Sequence, residues 1–155
     1  MFTIQRWRQG VIIMLTPFFI FLFCGLAWAY TVVSGGTIAS TSWGPGAVYV
    51  TGSVTVESGA TLTIQSGTVV KANPGVRVWV SGTLDAVGTV AEPIVFTSRD
   101  DDGYGETIPG SDGSPAPGDW QGIYLCGSGS SYEGIGNFDH CRIRCGGNNG
   151  NATFY

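Results

Sequence analysis

Short runs of alternating apolar and polar residues, separated by Gly, Ser, Asn and Pro, fill the chain from residue 48 to residue 96. In a β-strand every second side chain lies on the same face, so each run would place its apolar residues on one side. The residues at this spacing are Val54 and Val56, Leu62 and Ile64, Val76, Val78 and Val80, and Ile94 and Phe96. Helical spacing is missing after residue 29, so we predict an all-β fold.

The alternating pattern repeats. The segment from Val54 to Ile64 matches the segment from Val76 to Ala86 at a shift of about 22 residues, which is in the range of coil-forming repeats. A Ser-Gly turn at Gly59 recurs at Gly82, one residue out of step. A fixed interval of this kind favours a solenoid over a sandwich or a meander.

Three further strands are predicted beyond these repeats. Ile94–Phe96 and Ile123–Leu125 have similar patterns, and we interpret them as equivalent strands separated by a long insertion, residues 98–119. The segment from Cys141 to Cys145 would form the next strand. Residues 30–47 would serve as an N-terminal cap or linker, and residues 48–147 would form the coils.

Several motifs occur in the order expected of one repeat family. They are Gly59-Ala-Thr-Leu62-Thr-Ile64, Val80-Ser-Gly82-Thr-Leu84, Pro93-Ile94-Val-Phe96-Thr-Ser98 and Pro117-Gly118-Asp119-Trp120-Gln-Gly122. Together they resemble the bacterial secreted right-handed parallel β-helix repeat proteins. The resemblance implies an incomplete right-handed parallel β-helix of about four coils. We expect residues 148–155 to be a truncated end, so that the chain is the N-terminal fragment of a longer protein.

The first 29 residues have the features of an export signal. Arg6 and Arg8 precede an apolar run from Val11 to Leu26, and Ala27-Trp28-Ala29 supplies a small-x-small cleavage pattern. We therefore expect a signal peptide over residues 1–29, a secreted or cell-surface protein, and no stable membrane span after cleavage. A retained membrane anchor is the alternative, because the apolar run is nearly long enough to cross a bilayer.

The charge of the remaining chain disfavours nucleic acid as a partner. Without Arg6 and Arg8, five Lys and Arg remain against eleven Asp and Glu, which gives a net charge of 5 − 11 = −6. Phosphate binding requires clustered cationic side chains that this composition lacks. Extracellular polysaccharide or a host or cell surface is the partner that the resemblance implies.

The insertion concentrates carboxylates in a segment rich in Gly and Pro. They include Asp100, Asp101, Asp102, Glu106 and Asp112. Oxygen ligands on a flexible loop suit Ca²⁺, so these five residues are a candidate calcium site. Their spacing does not match an EF-hand loop, and a solvated acidic loop is the alternative interpretation.

Aromatic residues supply a second candidate site. Trp120 and Tyr124, together with Trp79, Tyr104 and Tyr132, would form a platform for carbohydrate contact. Alternatively, Trp120 closes the base of the insertion against a coil, as a large amphipathic side chain can at a strand entrance.

Three cysteines remain after the signal, namely Cys126, Cys141 and Cys145. In an oxidising compartment one disulfide could form among them, with pairing that the sequence leaves open. Period two places Cys141 and Cys145 on the same face as Ile143, which favours packing against the core. Metal binding with His140 would require ligands on opposite faces of one strand.

These observations lead to two functional hypotheses. The first is a β-helix that serves adhesion, carbohydrate binding or a structural scaffold, without catalysis in this segment. The second is a Ca²⁺-dependent polysaccharide lyase-like enzyme whose active part lies mostly outside this chain, with the acidic residues, Arg142 and Arg144 on an exposed strand face. No lyase motif is present in the sequence.

Overall fold

The computed structural model of the chain describes residues 30–126 and 133–147. The expected signal peptide and the expected truncated end lie outside these residues. Within them the chain forms thirteen β-strands and no helix. Accordingly, the described part contains no helix long and apolar enough to cross a membrane.

Every strand pair is parallel, and each strand pairs with the third strand before or after it in the chain. In chain order the strands are β1 Tyr30–Val33, β2 Gly36–Ile38, β3 Thr41–Trp43, β4 Gly46–Val50, β5 Val54–Val56, β6 Thr61–Ile64, β7 Thr68–Ala72, β8 Arg77–Val80, β9 Thr83–Val87, β10 Ile94–Ser98, β11 Gly122–Leu125, β12 Ile135–Asp139 and β13 Cys141–Ile143. Sheet A has the order β1-β4-β7-β10-β13, sheet B β11-β8-β5-β2, and sheet C β12-β9-β6-β3. Three strands per coil give four complete coils and the first strand of a fifth, which confirms the predicted parallel β-helix.

The core consists of ladders of inward side chains that continue from coil to coil. Val54 lies beside Val78, which lies beside Ile123, and all three are buried. Leu62 and Leu84 form an equivalent ladder in sheet C, and neither has any exposed surface. Burying an aliphatic side chain of this size contributes about 1.5–3 kcal/mol, so the stacked coils are held together mainly by these ladders.

The predicted 22-residue shift is confirmed in sheet C and wrong in sheet B. Leu62 pairs with Leu84, as expected, but Val54 pairs with Val78 and not with Val76. The reason is turn length, because Leu62 lies six positions after Val56 whereas the equivalent Leu84 lies only four positions after Val80. The extra shift is two residues, so the apolar side chains still point inward.

The predicted equivalence of the strands on either side of the insertion is also wrong. Strand β10 lies in sheet A and β11 in sheet B, so they are successive strands of one coil. Ile94 pairs with Cys141, and Ile123 pairs with Val78. Both strands have a similar apolar pattern because both face the same core, and pattern alone does not assign a strand to a sheet.

Within residues 30–47, the segment expected to be an N-terminal cap or linker, strands β1 to β3 form the first described coil. Strands β1, β2 and β3 pair in parallel with β4, β5 and β6. Trp43 at the end of β3 is buried against the core. The solenoid therefore begins at Tyr30 within the described part of the chain.

The two turn glycines fulfil different requirements. Gly59 has φ +77°, in the left-handed region that favours glycine. Gly82 has an ordinary φ, but a Cβ there would overlap the backbone carbonyl oxygens of Glu57 and Ala60 in the preceding coil. One glycine permits a corner conformation, and the other permits close approach of two coils.

Candidate functional site

The insertion folds back over the outer face of sheet A. Ile108 in the insertion is fully buried, and Gly105 lies against the outward side chain of Val69. Lys71 and Thr97, which are adjacent outward residues of β7 and β10, are also fully buried. In a solenoid an outward residue is normally exposed, so their burial results from the insertion.

Asp101 anchors the insertion to the last two strands of sheet A. Its carboxylate accepts hydrogen bonds from Thr97 Oγ1 at 2.6 Å and from Arg144 Nε at 3.1 Å. Burial by itself would raise the pKa of Asp101, but the hydrogen bonds from Thr97 and Arg144 lower it below its ordinary value. The Asp101 carboxylate is therefore ionised at neutral pH and remains bonded to Thr97 and Arg144.

The two arginines proposed for lyase chemistry contact the insertion. The Arg144 guanidinium lies over the Tyr104 ring, 4.9 Å from its centroid, and Arg142 Nη1 donates to the Tyr104 hydroxyl at 3.3 Å. The hydrogen bond to Asp101 raises the pKa of Arg144. Together these contacts form a clasp, which we define as Asp101, Tyr104, Arg142 and Arg144.

The remaining carboxylates of the expected calcium set have separate partners. Asp100 pairs with Arg99 at 3.0 Å, and Asp102 accepts a hydrogen bond from Ser111. Asp112 accepts a hydrogen bond from the backbone of Ser114, and Glu106 is exposed. Among the residues that the structure describes, no three His, Cys, Asp or Glu side chains form a group that could hold a metal ion. The calcium site stays a prediction from the sequence.

Lys71 is the main feature of this region that the sequence interpretation missed. Its side chain has no exposed surface, and its Nζ has no hydrogen-bond partner within the described part of the chain. Burial lowers the pKa of Lys71, while the negative charges of Asp102, Asp101 and Glu106 oppose that change. No sequence signal distinguishes this lysine from an exposed outward one, because its burial depends on a loop that begins 27 residues later.

Trp120 closes the base of the insertion and is not available for carbohydrate contact. The side chain is 1% exposed, and its Nε1 donates to the carbonyl oxygen of Arg144 at 2.8 Å. Its ring packs on Gly146, with which Trp120 forms an isolated β-bridge. The structure thus favours the alternative interpretation of this residue, since a buried ring cannot stack on a sugar.

Tyr124, which is half-buried, lies in an aromatic ladder on the outer face of sheet B. Its ring stacks on Trp79 at a centroid separation of 5.8 Å and an interplanar angle of 14°. The Arg77 guanidinium carbon lies 5.6 Å from the centre of the Trp79 ring, and Trp79 is 38% exposed. Of the other aromatic residues predicted for the platform, Tyr104 belongs to the clasp and Tyr132 lies outside the described residues.

A shallow groove of about 320 Å³ begins where the aromatic ladder ends. It is lined by Ser53, Val54, Thr55, Arg77 and Trp79. Thr55 pairs in register with Trp79, so the small side chain of the preceding coil leaves space beside the indole ring. The groove therefore combines an aromatic wall, a guanidinium and hydroxyl groups. The sequence interpretation missed Arg77, although its period-two spacing from Trp79 places both on one face.

The three described cysteines are free thiols, so the structure does not contain the expected disulfide. Cys141 begins β13, whereas Cys145 lies beyond the end of that strand and has φ +56°. Cys126 Sγ lies 3.4 Å from Ser81 Oγ in sheet B. As predicted, Cys141, Ile143 and Cys145 pack against the core, and burial raises the pKa of Cys141.

Comparison with known proteins supports the architecture. Neither a curated protein nor a solved structure matches the chain. A family model described as a pectate-lyase-like β-helix domain matches residues 36–153, which is more than half of the sequence. The matched residues include every described coil from β2 onward. The chain therefore belongs to the pectate-lyase-like β-helix domain family.

Proposed function

We propose that this protein binds extracellular polysaccharide along the outer face of sheet B, as a secreted or cell-surface binding module. The observation that carries the proposal is the stacked Trp79–Tyr124 pair beside the groove. Export is expected from residues 1–29 and belongs to the proposal. A binding role requires no catalytic group in this segment.

The chemistry of the groove suits a sugar chain. The aliphatic C–H face of a pyranose ring packs on an aromatic ring, and the exposed indole of Trp79 offers such a surface. Arg77 can donate two parallel hydrogen bonds to a carboxylate, and hydrogen bonds to charged groups contribute about 1.5–3 kcal/mol. We therefore expect acidic sugars to be preferred over neutral ones.

The binding surface is tested by replacing the aromatic wall. We expect Trp79→Ala to weaken binding to a uronate polymer such as polygalacturonate by about tenfold, because loss of a stacking contact costs about 1.4 kcal/mol. Affinity electrophoresis in gels containing the polymer measures this change. Ile135→Ala is the matched control, since Ile135 is an exposed apolar residue in sheet C. Equal retardation of Trp79→Ala and the wild type would contradict the proposal.

The preference for acidic sugars is tested at Arg77. Arg77→Gln should weaken binding to polygalacturonate and leave any binding to a neutral polymer such as cellulose unchanged, because only the uronate has a carboxylate. Arg142→Gln is the control, since this exposed arginine lies in β13 of sheet A. If both substitutions weaken binding equally, the attraction reflects overall charge and not the groove.

Polysaccharide lyase activity is the second candidate, and the family match is the observation that favours it. A lyase removes a proton beside a uronate carboxylate and leaves an unsaturated sugar that absorbs in the ultraviolet. Incubation of the chain with several uronate polymers and millimolar Ca²⁺ tests this reaction. A rise in ultraviolet absorbance that Arg142→Ala abolishes would support the lyase. Binding without such a rise would favour the binding module.

A further inference from the structure

The aromatic ladder of sheet B ends at Trp79, and this end forms one wall of the groove. Nearly parallel rings whose centres are 5.8 Å apart lie face to face, because two rings in one plane would collide at this separation. Tyr124 belongs to the following coil, so one face of the Trp79 ring is directed towards Tyr124. The other face is directed towards the preceding coil, where Thr55 is the register partner of Trp79.

The ladder position beside Trp79 is open because the preceding coils have small outward residues. Thr55 lies in this position, and Thr37 lies in register with it one coil further away. Neighbouring parallel strands are about 4.8 Å apart, which is within the range of about 4.5–7 Å between the centres of stacked rings. A ring placed over Thr55 would therefore stack on Trp79, as Tyr124 does on the opposite face. The groove lies at this position.

Polar groups border the open position on one side. Arg77 precedes Trp79 by two positions on the exposed face of β8, and its guanidinium carbon lies 5.6 Å from the centre of the Trp79 ring. Ser53 also lines the groove, where its Oγ accepts a hydrogen bond from the backbone N–H of Arg77 at 3.2 Å. A ring over Thr55 can thus direct a carboxylate to Arg77 while its face contacts the indole.

We propose that the groove receives one ring of an equatorially linked uronate polymer, which occupies the ladder position over Thr55 as the next layer after Trp79. This inference rests on the proposed polysaccharide binding and specifies its ligand. Equatorial linkages leave a pyranose ring close to its own plane, so both faces of every ring are free to stack. Axial linkages leave on the two opposite faces, and one of them would collide with the indole. An axially linked chain such as polygalacturonate therefore stacks only through its end rings.

Two polymers with the same charge per ring test the linkage. Polymannuronate is linked equatorially and polyguluronate axially, and each has one carboxylate on every ring. In affinity electrophoresis with a chelator in the gel, the wild type should bind polymannuronate at least about tenfold more tightly at equal polymer mass. Trp79→Ala should abolish this preference, because both polymers then lose the stacking surface. Equal binding of the two polymers by the wild type would overturn the inference. If Trp79→Ala still weakened that binding, the proposed function would stand.

The position of the ring is tested at Thr55. Thr55→Trp fills the ladder position, and the new end of the ladder has Ser53 in place of Arg77. We expect polymannuronate binding to fall at least about tenfold. Thr37→Trp is the matched control, because it adds the same side chain one coil further away. It should bind at least as tightly as the wild type, since the sugar ring then fits between two indoles.

Two further variants separate bulk from other effects. Thr55→Val keeps the size of the side chain without the hydroxyl and should bind like the wild type. If Thr55→Trp does not fold, Thr55→Leu should weaken binding and Thr37→Leu should not. Unchanged or tighter binding by Thr55→Trp would overturn the inference, because the ladder would then act as a platform that improves with every added ring. Equal weakening at the two positions would also overturn it. If the wild type binds no uronate polymer, the proposed function and this inference both fail.

Discussion

At the residue scale, two tryptophans show how position in a coil determines a role. Trp79 alternates with Val78 and Val80 in β8, so period two alone places its ring outside. Trp120 precedes β11, and its burial depends on Arg144 and Gly146 more than twenty residues away. The first ring is available for a ligand, and the second holds the insertion.

The hydrogen bond of Trp120 leads to a prediction. Trp120→Phe removes the indole N–H that satisfies the Arg144 carbonyl oxygen and leaves that acceptor without its donor. We expect the free energy of unfolding to fall by about 2 kcal/mol. Urea denaturation measures the change, and Trp79→Phe, on the exposed face, should have little effect. Equal effects at the two positions would show that ring volume matters and the hydrogen bond does not.

At the scale of elements, the insertion lies over the outer face of sheet A and is held there by the contacts of the clasp. Its attachment joins Asp101, just after β10, to Arg144, just after β13. The cover buries Lys71 and Thr97, which would otherwise be exposed outward residues. The insertion thus covers part of the outer surface of sheet A and encloses these two polar side chains.

The clasp makes the insertion sensitive to acid. Asp101 has a pKa below its ordinary value of 3.8 in the folded chain, so its contribution to stability is complete above that value. The contribution is lost as the pH falls through the lower folded pKa. We expect Asp101→Asn to lower the free energy of unfolding by about 2 kcal/mol at pH 6 and much less at pH 2.

Urea denaturation at pH 6, 4 and 2 measures this dependence. Arg144→Gln should reduce the difference between wild type and Asp101→Asn, because it removes one donor to the carboxylate. The same loss for Asp101→Asn at every pH would contradict the role assigned to the ionised carboxylate.

At the scale of the whole molecule, stability depends on how closely successive coils approach. Parallel strands lie about 4.8 Å apart, so a corner that touches the coil below has no space for a side chain. Gly82 is such a corner, because a Cβ would overlap the carbonyl oxygens of Glu57 and Ala60. Every coil adds the same kind of contact, and a single misplaced corner disturbs its neighbours.

The two turn glycines provide a matched test of this constraint. Gly59→Ala meets open space and should cost about 1 kcal/mol for its positive φ. Gly82→Ala must displace backbone and should cost about 3 kcal/mol or more. Chemical denaturation of both variants measures the difference. A smaller loss for Gly82→Ala than for Gly59→Ala would show that the coils are not in close contact there.

The sequence by itself determined the fold class and much of the core. Alternation of apolar residues predicts strands and tells inward Val78 and Leu84 from outward Trp79, because the side-chain period of a strand is a local property. The same rule correctly placed Cys141 and Ile143 against the core. Turn length was visible in the sequence, but its effect on register was not.

Only the tertiary structure decided which strands are neighbours and which outward residues are covered. Ile94 stacks on Cys141 because the chain passes through sheets B and C before it comes back to sheet A. The local alternation of apolar residues does not show which sheet the next strand joins. Lys71 is buried and Trp79 is exposed, although both alternate outward in the same way. The difference arises from where a distant insertion folds, and contacts between residues far apart in the chain are set by packing, not by local periodicity.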